Sequence, residues 1–222
     1  MRTPVVVVNF KTYPEVCGAR GLDIARKIDE AARETGGSSA IAPQQIDLAL
    51  ISREVKVPVF AQHLDNVAQG STTGFVTPEG VRAAGCAGTL LNHSEHRIRG
   101  DEMEVLTERC RKAGLVTIIC SNSVGVCKAC THFSPDFIAI EPPELIGGDI
   151  SVTSANPKIV ESAVEAVKKI DSKVKVLCGA GVKNGTDVKK AVELGADGVL
   201  LASGIVKARD PKAVMAEMLR AL

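Results

Sequence analysis

Short runs of apolar, often β-branched residues recur along the chain, separated by segments in which apolar and polar residues are mixed. Eight such runs occur, and none alternates cleanly between apolar and polar residues. Each therefore predicts a strand buried on both faces, as strands of a parallel sheet are. The predicted strands are 4–10, 38–43, 57–63, 88–93, 115–121, 136–141, 174–179 and 197–203.

The segments between the runs carry helical patterns. Residues 22–34, 156–170 and 186–195 place apolar side chains along one helix face, which predicts amphipathic helices. Shorter helices are predicted near 77–85 and 122–130. The order of elements is thus strand and helix in alternation, with no linker or break in composition between two domains.

Eight strands alternating with helices favour a closed (β/α)8 barrel of one domain, residues 1–222. An open, doubly wound sheet is the rival architecture. Its nucleotide-binding form needs a glycine-rich turn after the first strand, and the first run here ends in NFKTYPE, without glycine. The α/β barrel is therefore the predicted fold.

Charge and composition narrow the class of function. The net charge is +1 and aromatic residues make up 3% of the chain, so neither a basic surface nor a stacking platform for nucleic acid is indicated. No apolar segment is long enough to span a bilayer, and the N-terminal run is too short for a signal peptide. We expect a cytoplasmic protein without a nucleic-acid or membrane partner.

The seven cysteines are interpreted as reduced thiols, most of them small buried side chains. Cys127 and Cys130 form a C-x-x-C motif with His132 nearby. A metal site would need a second pair of ligands, and none follows. The motif is therefore interpreted as two thiols on one helix face, with no metal.

Polar residues follow several of the predicted strands. Asn9 and Lys11 follow the first, His93 and Glu95 the fourth, and Glu141 the sixth. In a parallel barrel the carboxyl ends of all strands meet on one face, where active sites lie. A cation, an imidazole and a carboxylate on one rim predict an acid–base site.

Two turns rich in small residues follow the last two predicted strands. They are CGAG, 178–181, and LASG, 201–204. Small residues let backbone N–H groups approach an anion, and this part of such barrels commonly binds phosphate. Gly179, Gly181, Ala202 and Ser203 are the candidate phosphate-binding residues.

Three motifs, in the same order along the chain, resemble those of a known protein family. NFK (9–11), NHSEHR (92–97) and IEPPELIGG (140–148), together with the two turns, resemble the triosephosphate isomerase family, and the short chain is most similar to its archaeal branch. The resemblance implies a TIM barrel that interconverts dihydroxyacetone phosphate and glyceraldehyde 3-phosphate through an enediol, in glycolysis and gluconeogenesis.

The resemblance also implies roles for individual residues. Glu141 matches the general base, His93 the neutral electrophile, and Asn9 and Lys11 the substrate-binding pair. Glu95 matches a buried supporting carboxylate. The remaining matches concern phosphate: Ile146 and Gly147 at the tip of a mobile loop, and Gly181, Ala202 and Ser203 on the opposite side.

The segment after Glu141 is expected to form a lid, since two prolines stiffen its root and two glycines free its tip. Pro143-Glu144 replaces the Trp usual in the lid's first hinge, Gly181 replaces a hydroxyl, and CSNS replaces the usual motif after strand five. The family implies no metal or organic cofactor, and it implies a homo-oligomer, a tetramer or a dimer.

Two alternatives remain at this point. One is another phosphate-binding barrel enzyme, such as a sugar-phosphate epimerase or a synthase of tryptophan biosynthesis. The other is a catalytically silent barrel that binds a phosphometabolite or acts as a scaffold. The first needs paired carboxylates, metal-binding histidines or additional lysines at strand ends, and the chain has no clear version of these sets. The second explains Asn9, Lys11, His93 and Glu141 less well, because a binding module needs no general base.

Overall fold

A computed structural model describes residues 1–142 and 156–222 of the chain. Eight parallel strands form one sheet in the order β2-β1-β8-β7-β6-β5-β4-β3. A single parallel bridge between Ile41 and Val59 joins the two ends of that order and closes the barrel. The strands are β1 Val5–Asn9, β2 Ser39–Ala42, β3 Phe60–Ala61, β4 Gly88–Leu91, β5 Val116–Ser121, β6 Phe137–Ile140, β7 Lys175–Gly179 and β8 Gly198–Leu201.

All eight predicted strands are confirmed, in the predicted order, and the predicted barrel with them. The clearest difference is β3, expected over 57–63 but regular only at Phe60–Ala61. Strand assignment requires a ladder of hydrogen bonds, and β3 meets β2 only through the bridge at Val59. Of residues 57–63, only Phe60 and Ala61 pair with β4, so the regular strand is limited to these two residues.

Each strand is followed by at least one helix, as predicted, and the two helices expected to be short are short. Glycines in the left-handed conformation end two of them, at Gly36 and Gly114. Within the described part of the chain, the α-helices are α1 Ala19–Thr35, α2 Leu48–Glu54, α3 Pro78–Ala83, α4 Gly100–Ala113, α5 Val124–Thr131, α6 Pro157–Ile170, α7 Gly185–Glu193, α8 Ser203–Val206 and α9 Pro211–Arg220.

The core has two layers because side chains alternate along each strand. On β1, Val5 and Val7 point into the barrel, whereas Val6 and Val8 pack against the surrounding helices. The interior is full: a Cβ added at Gly88 would lie 2.3 Å from a ring carbon of Phe60. The barrel is a packed core, so ligands can reach only its ends.

All seven cysteines are free, and only Cys17 is exposed. Cys127 and Cys130 are buried on α5 and belong to the core between helices and sheet, which confirms their interpretation as thiols on one buried face. No helix in residues 1–142 or 156–222 is both long and apolar enough to cross a membrane.

Candidate active site

The carboxyl ends of five strands surround one cavity. The ends of β1, β4 and β6 contribute Asn9, Lys11, His93 and Glu141, and the turns after β7 and β8 face them. The remaining lining residues are Tyr13, Ala180, Gly181, Val182, Lys183, Leu200, Leu201, Ala202 and Ser203. Residues far apart in sequence thus share one small, partly enclosed space.

The acid and the imidazole lie next to each other. Nε2 of His93 is 3.6 Å from Oε1 of Glu141, and each side chain is 7% exposed. The second oxygen, Oε2 of Glu141, has no hydrogen-bond partner among the described residues. A buried carboxylate with a free oxygen at a cavity wall is placed to accept a proton from a ligand.

The position of the ring proton on His93 follows from its other nitrogen. Nδ1 accepts a hydrogen bond from the backbone N–H of Glu95, at 3.2 Å. In a neutral imidazole an accepting Nδ1 leaves the proton on Nε2. The donor of the neutral ring therefore faces Glu141 and the cavity.

Lys11 is held by its backbone on two sides. Its N–H donates to Oδ1 of Asn9 at 2.9 Å, and its carbonyl accepts from the Gln62 side chain at 3.0 Å. The same Gln62 nitrogen also donates to the carbonyl of Ala42 at 2.9 Å. These bonds support a left-handed backbone at Lys11, with φ of 51°.

Glu95 departs from the expectation of a buried carboxylate, since its side chain is 55% exposed. It reaches over the rim to Lys11, whose Nζ lies 2.7 Å from its Oε1. Its carboxylate pairs with a cation at the surface, so it does not have to be buried. Glu95 therefore contacts both Lys11, through its carboxylate, and His93, through its backbone N–H.

Cys120, on β5 inside the barrel, lies beside Glu141. Burial raises the pKa of its thiol well above the usual value, and the neighbouring Glu141 carboxylate raises it further. The thiol therefore stays protonated, and it adds no second negative charge next to the acid.

The opposite side of the cavity consists mainly of small residues and backbone. Ala180 and Gly181 have φ of 97° and 71°, and α8 begins at Ser203. Gly179 does not line the cavity: a Cβ there would lie 2.6 Å from Cγ of Glu141, so this glycine makes room for the acid. Ile146 and Gly147 lie outside the described residues.

Sequence reasoning missed Tyr13, Lys183 and the support from Gln62. Tyr13 and Lys183 stand only two residues beyond the motifs NFK and CGAG, which was the available signal. Gln62 stands near the end of the third predicted strand, but its bond to Lys11 depends on a fold that brings the first and third strands together.

A second cavity adjoins the first on the side of β3, and both are lined by Asn9, Lys11, Tyr13 and His93. Here the rings of His63 and His96 stack, with centroids 3.6 Å apart. Burial lowers the pKa of His63, and a charge on His96 lowers it further. No group of three or more His, Cys, Asp or Glu residues in 1–142 and 156–222 is arranged to hold a metal ion.

Comparison with known proteins places this geometry in a family context. A family model described as triosephosphate isomerase matches residues 4–221. The triosephosphate isomerase of Methanocaldococcus jannaschii is 48% identical over 216 residues, 97% of this chain and 99% of that protein. That of Methanobrevibacter smithii is 44% identical over the full length of both chains, 222 residues. That of Methanosarcina acetivorans is 46% identical over 220 residues, 99% of each.

Proposed function

The chain belongs to the triosephosphate isomerase family, and we propose that it uses Glu141, His93 and Lys11 to interconvert dihydroxyacetone phosphate and D-glyceraldehyde 3-phosphate. This reaction is a step of glycolysis and gluconeogenesis. The observation that carries the assignment is the buried His93–Glu141 pair, 3.6 Å apart, in a cavity that Lys11 also lines.

The first step is removal of a proton from the carbon next to the substrate carbonyl. The carboxylate of Glu141 takes that proton, the electron pair of the C–H bond forms the carbon–carbon double bond, and the carbonyl oxygen becomes an enediolate oxygen. A proton then passes from the hydroxyl oxygen on the first carbon to the enediolate oxygen, and the protonated Glu141 returns its proton to the former carbonyl carbon. The first carbon thereby becomes the new carbonyl, which completes the exchange of ketose and aldose. The free Oε2 of Glu141 supports this role.

Negative charge on the substrate oxygen needs a donor and a cation. The Nε2 proton of neutral His93 is the donor, because Nδ1 is engaged by Glu95. Lys11 supplies positive charge at the same wall, and Asn9 orients its backbone. The carboxylate of Glu95 pairs with the Lys11 ammonium at 2.7 Å.

The phosphate group binds on the opposite wall. Gly181, Ala202 and Ser203 line it, and exposed backbone N–H groups in such turns are good partners for an anion. Gly179 contributes space for Glu141 instead of a phosphate contact. Ile146 and Gly147 stay predictions for a loop that covers the phosphate.

A homo-oligomer completes the proposal, with tetramer or dimer as its form. Three large apolar side chains are exposed, Ile46 at 80%, Phe75 at 53% and Leu50 at 46%. Ile46 and Phe75 directly adjoin in sequence two residues that line the second cavity. A second copy of the chain would remove this apolar surface from water. Light scattering tests this directly, since the assembly should have two or four times the chain mass of 23.3 kDa.

Residues 1–222 are proposed to form one domain, because all eight strands described between Val5 and Leu201 belong to one sheet. The cytoplasm is the proposed location, since all seven cysteines are free thiols, which suits a reducing compartment.

A coupled assay on glyceraldehyde 3-phosphate tests the function. Glu141→Gln keeps the shape of the side chain but removes the base, so we expect kcat to fall by roughly 10²- to 10⁴-fold. Glu104→Gln, an exposed position on α4, is the matched control and should keep full activity. Folded wild-type protein without isomerase activity, or a fully active Glu141→Gln, would refute the proposal.

A further inference from the structure

Asn92 stands between the end of β4 and the imidazole of His93, and its backbone is unusual. Its φ is 58°, in the left-handed region, and its side chain is buried with the residue 5% exposed. Only glycine adopts this conformation at low cost, although Asn tolerates it when its side chain finds partners nearby. The left-handed turn directs the chain from β4 so that the next residue reaches the cavity.

The side chain of Asn92 bridges two different parts of the fold. Its Oδ1 accepts from the N–H of Ile98 at 3.2 Å, and its Nδ2 donates to the carbonyl of Cys120 on β5 at 3.0 Å. Its own carbonyl accepts from the Arg97 side chain at 3.0 Å. Residues 92–98 are thus closed into a ring that contains His93 and Glu95 and is fastened to β5.

Strand β5 also holds the segment that carries Glu141. The N–H of Glu141 donates to the carbonyl of Ser121 at 2.8 Å. Cys120 and Ser121 are consecutive, so the segment carrying His93 and the segment carrying Glu141 are bound to neighbouring carbonyls of β5. The separation of the imidazole and the carboxylate is therefore set through this strand.

We infer that Asn92 is a positioning residue of the isomerase reaction, whose two side-chain hydrogen bonds fix His93 against Glu141. It does not line the cavity, so it acts on the substrate only through His93. The inference rests on the proposed function. Asn92 also explains how the chain tolerates a strained backbone directly beside the donor.

The test variant is Asn92→Gly, which accepts the left-handed backbone but removes both side-chain bonds. The matched control is Ser134→Gly, because Ser134 is another residue of positive φ, at 51°, on the far end of the barrel. A displacement of about 1 Å of a catalytic group can cost about 10²-fold in rate. We expect Asn92→Gly to lower kcat by about tenfold or more and to change KM by less than about twofold.

A readout independent of turnover is the state of the His93 ring. With isotope-labelled histidine, nuclear magnetic resonance should show one tautomer in the wild type, with the proton on Nε2. In Asn92→Gly the ring should exchange between tautomers or broaden, while Ser134→Gly should match the wild type. If Asn92→Gly does not fold, Asn92→Asp serves instead, since it keeps the acceptor for Ile98 but loses the donor to Cys120.

A normal kcat in folded Asn92→Gly overturns the inference, and so does a lowered kcat with an unchanged His93 ring. A loss of kcat equal to that of Ser134→Gly also overturns it. If the wild type lacks isomerase activity, the proposed function fails by itself. The ring signals of the variant then decide alone whether Asn92 positions His93.

Discussion

The two ends of the barrel use acidic residues in opposite ways. At the amino end, Asp136 and Asp197 precede β6 and β8, and each accepts a backbone N–H of the neighbouring strand: Thr117 at 2.8 Å and Val176 at 2.9 Å. At the carboxyl end, Glu141 keeps one oxygen without a hydrogen-bond partner in the described residues. At the amino end both carboxylates accept hydrogen bonds from the backbone. At the carboxyl end one oxygen of Glu141 remains available to accept a proton from a substrate.

Backbone conformation shows the same division. Among the residues that the structure describes, four non-glycine residues have positive φ. Lys11, Asn92 and Ala180 lie at the carboxyl end, and Ser134 lies at the other. Such conformations cost free energy and persist where surrounding contacts hold them. The amino end therefore contributes mainly to stability and the carboxyl end to activity. Substitutions at the two ends should change these two properties separately.

Among substitutions that separate the two ends of the barrel, the largest effect is expected on activity, at Gly179. A Cβ there would lie 2.6 Å from Cγ of Glu141, so Gly179→Ala must displace the acid. We expect kcat to fall by about 10²-fold, the typical result of misplacing a catalytic group. Gly100→Ala is the control, because a Cβ at Gly100 meets nothing within 4 Å. Equal activity of the two variants in the coupled assay would contradict the prediction.

Asp136→Ala should give the opposite phenotype. It leaves the Thr117 N–H without its acceptor, so we expect the free energy of unfolding to fall by about 1–3 kcal/mol, with kcat unchanged. Urea unfolding measures the first quantity and the coupled assay the second. Glu108→Ala, which breaks an exposed ion pair with Lys112, is the matched control and should leave the free energy of unfolding nearly unchanged. An activity loss in folded Asp136→Ala would remove the distinction between the two ends.

A smaller effect should appear as a pH dependence of stability. The pKa of His63 in the fold is below its ordinary value of 6.5, because of burial and of His96. The unfolded chain then binds more protons, so the free energy of unfolding is greatest above pH 6.5 and falls as the pH drops below it. The groups facing His63 are His96, Asp65 and Glu102.

Urea unfolding between about pH 7 and about pH 5 measures this slope. His63→Gln should flatten it, whereas His132→Gln, at an exposed position, should not. A slope that His63→Gln leaves unaltered would exclude His63 as its origin.

The smallest effect is one of reactivity alone. Burial raises the pKa of Cys86 to about 11 and those of Cys110, Cys127 and Cys178 to about 12. In folded protein near neutral pH, iodoacetamide should therefore modify Cys17 only, and in denaturant all seven cysteines, as mass spectrometry would count. Fast modification of a second thiol in the folded state would show that the core opens.

Sequence patterns predicted the strands well because a buried parallel strand needs an uninterrupted apolar run, a purely local property. They placed Asn9, Lys11, His93 and Glu141 on one rim because parallel strands share a direction. They could not predict that Glu95 is exposed, that Gly179 faces Glu141, or how Gln62 supports Lys11. Those facts depend on distances between strands, which no local pattern contains.

The closure of the barrel has a consequence for motion. Between β2 and β3 the sheet is joined by one bridge, and the side chain of Gln62 reaches across the same gap to Ala42 and Lys11. Breathing of the sheet should begin at this seam, where amide hydrogen exchange at Ile41 would report it. Each opening would also separate the Gln62 side-chain amide from the Lys11 carbonyl to which it donates, so the most weakly paired edge of the barrel is coupled to the cation of the site.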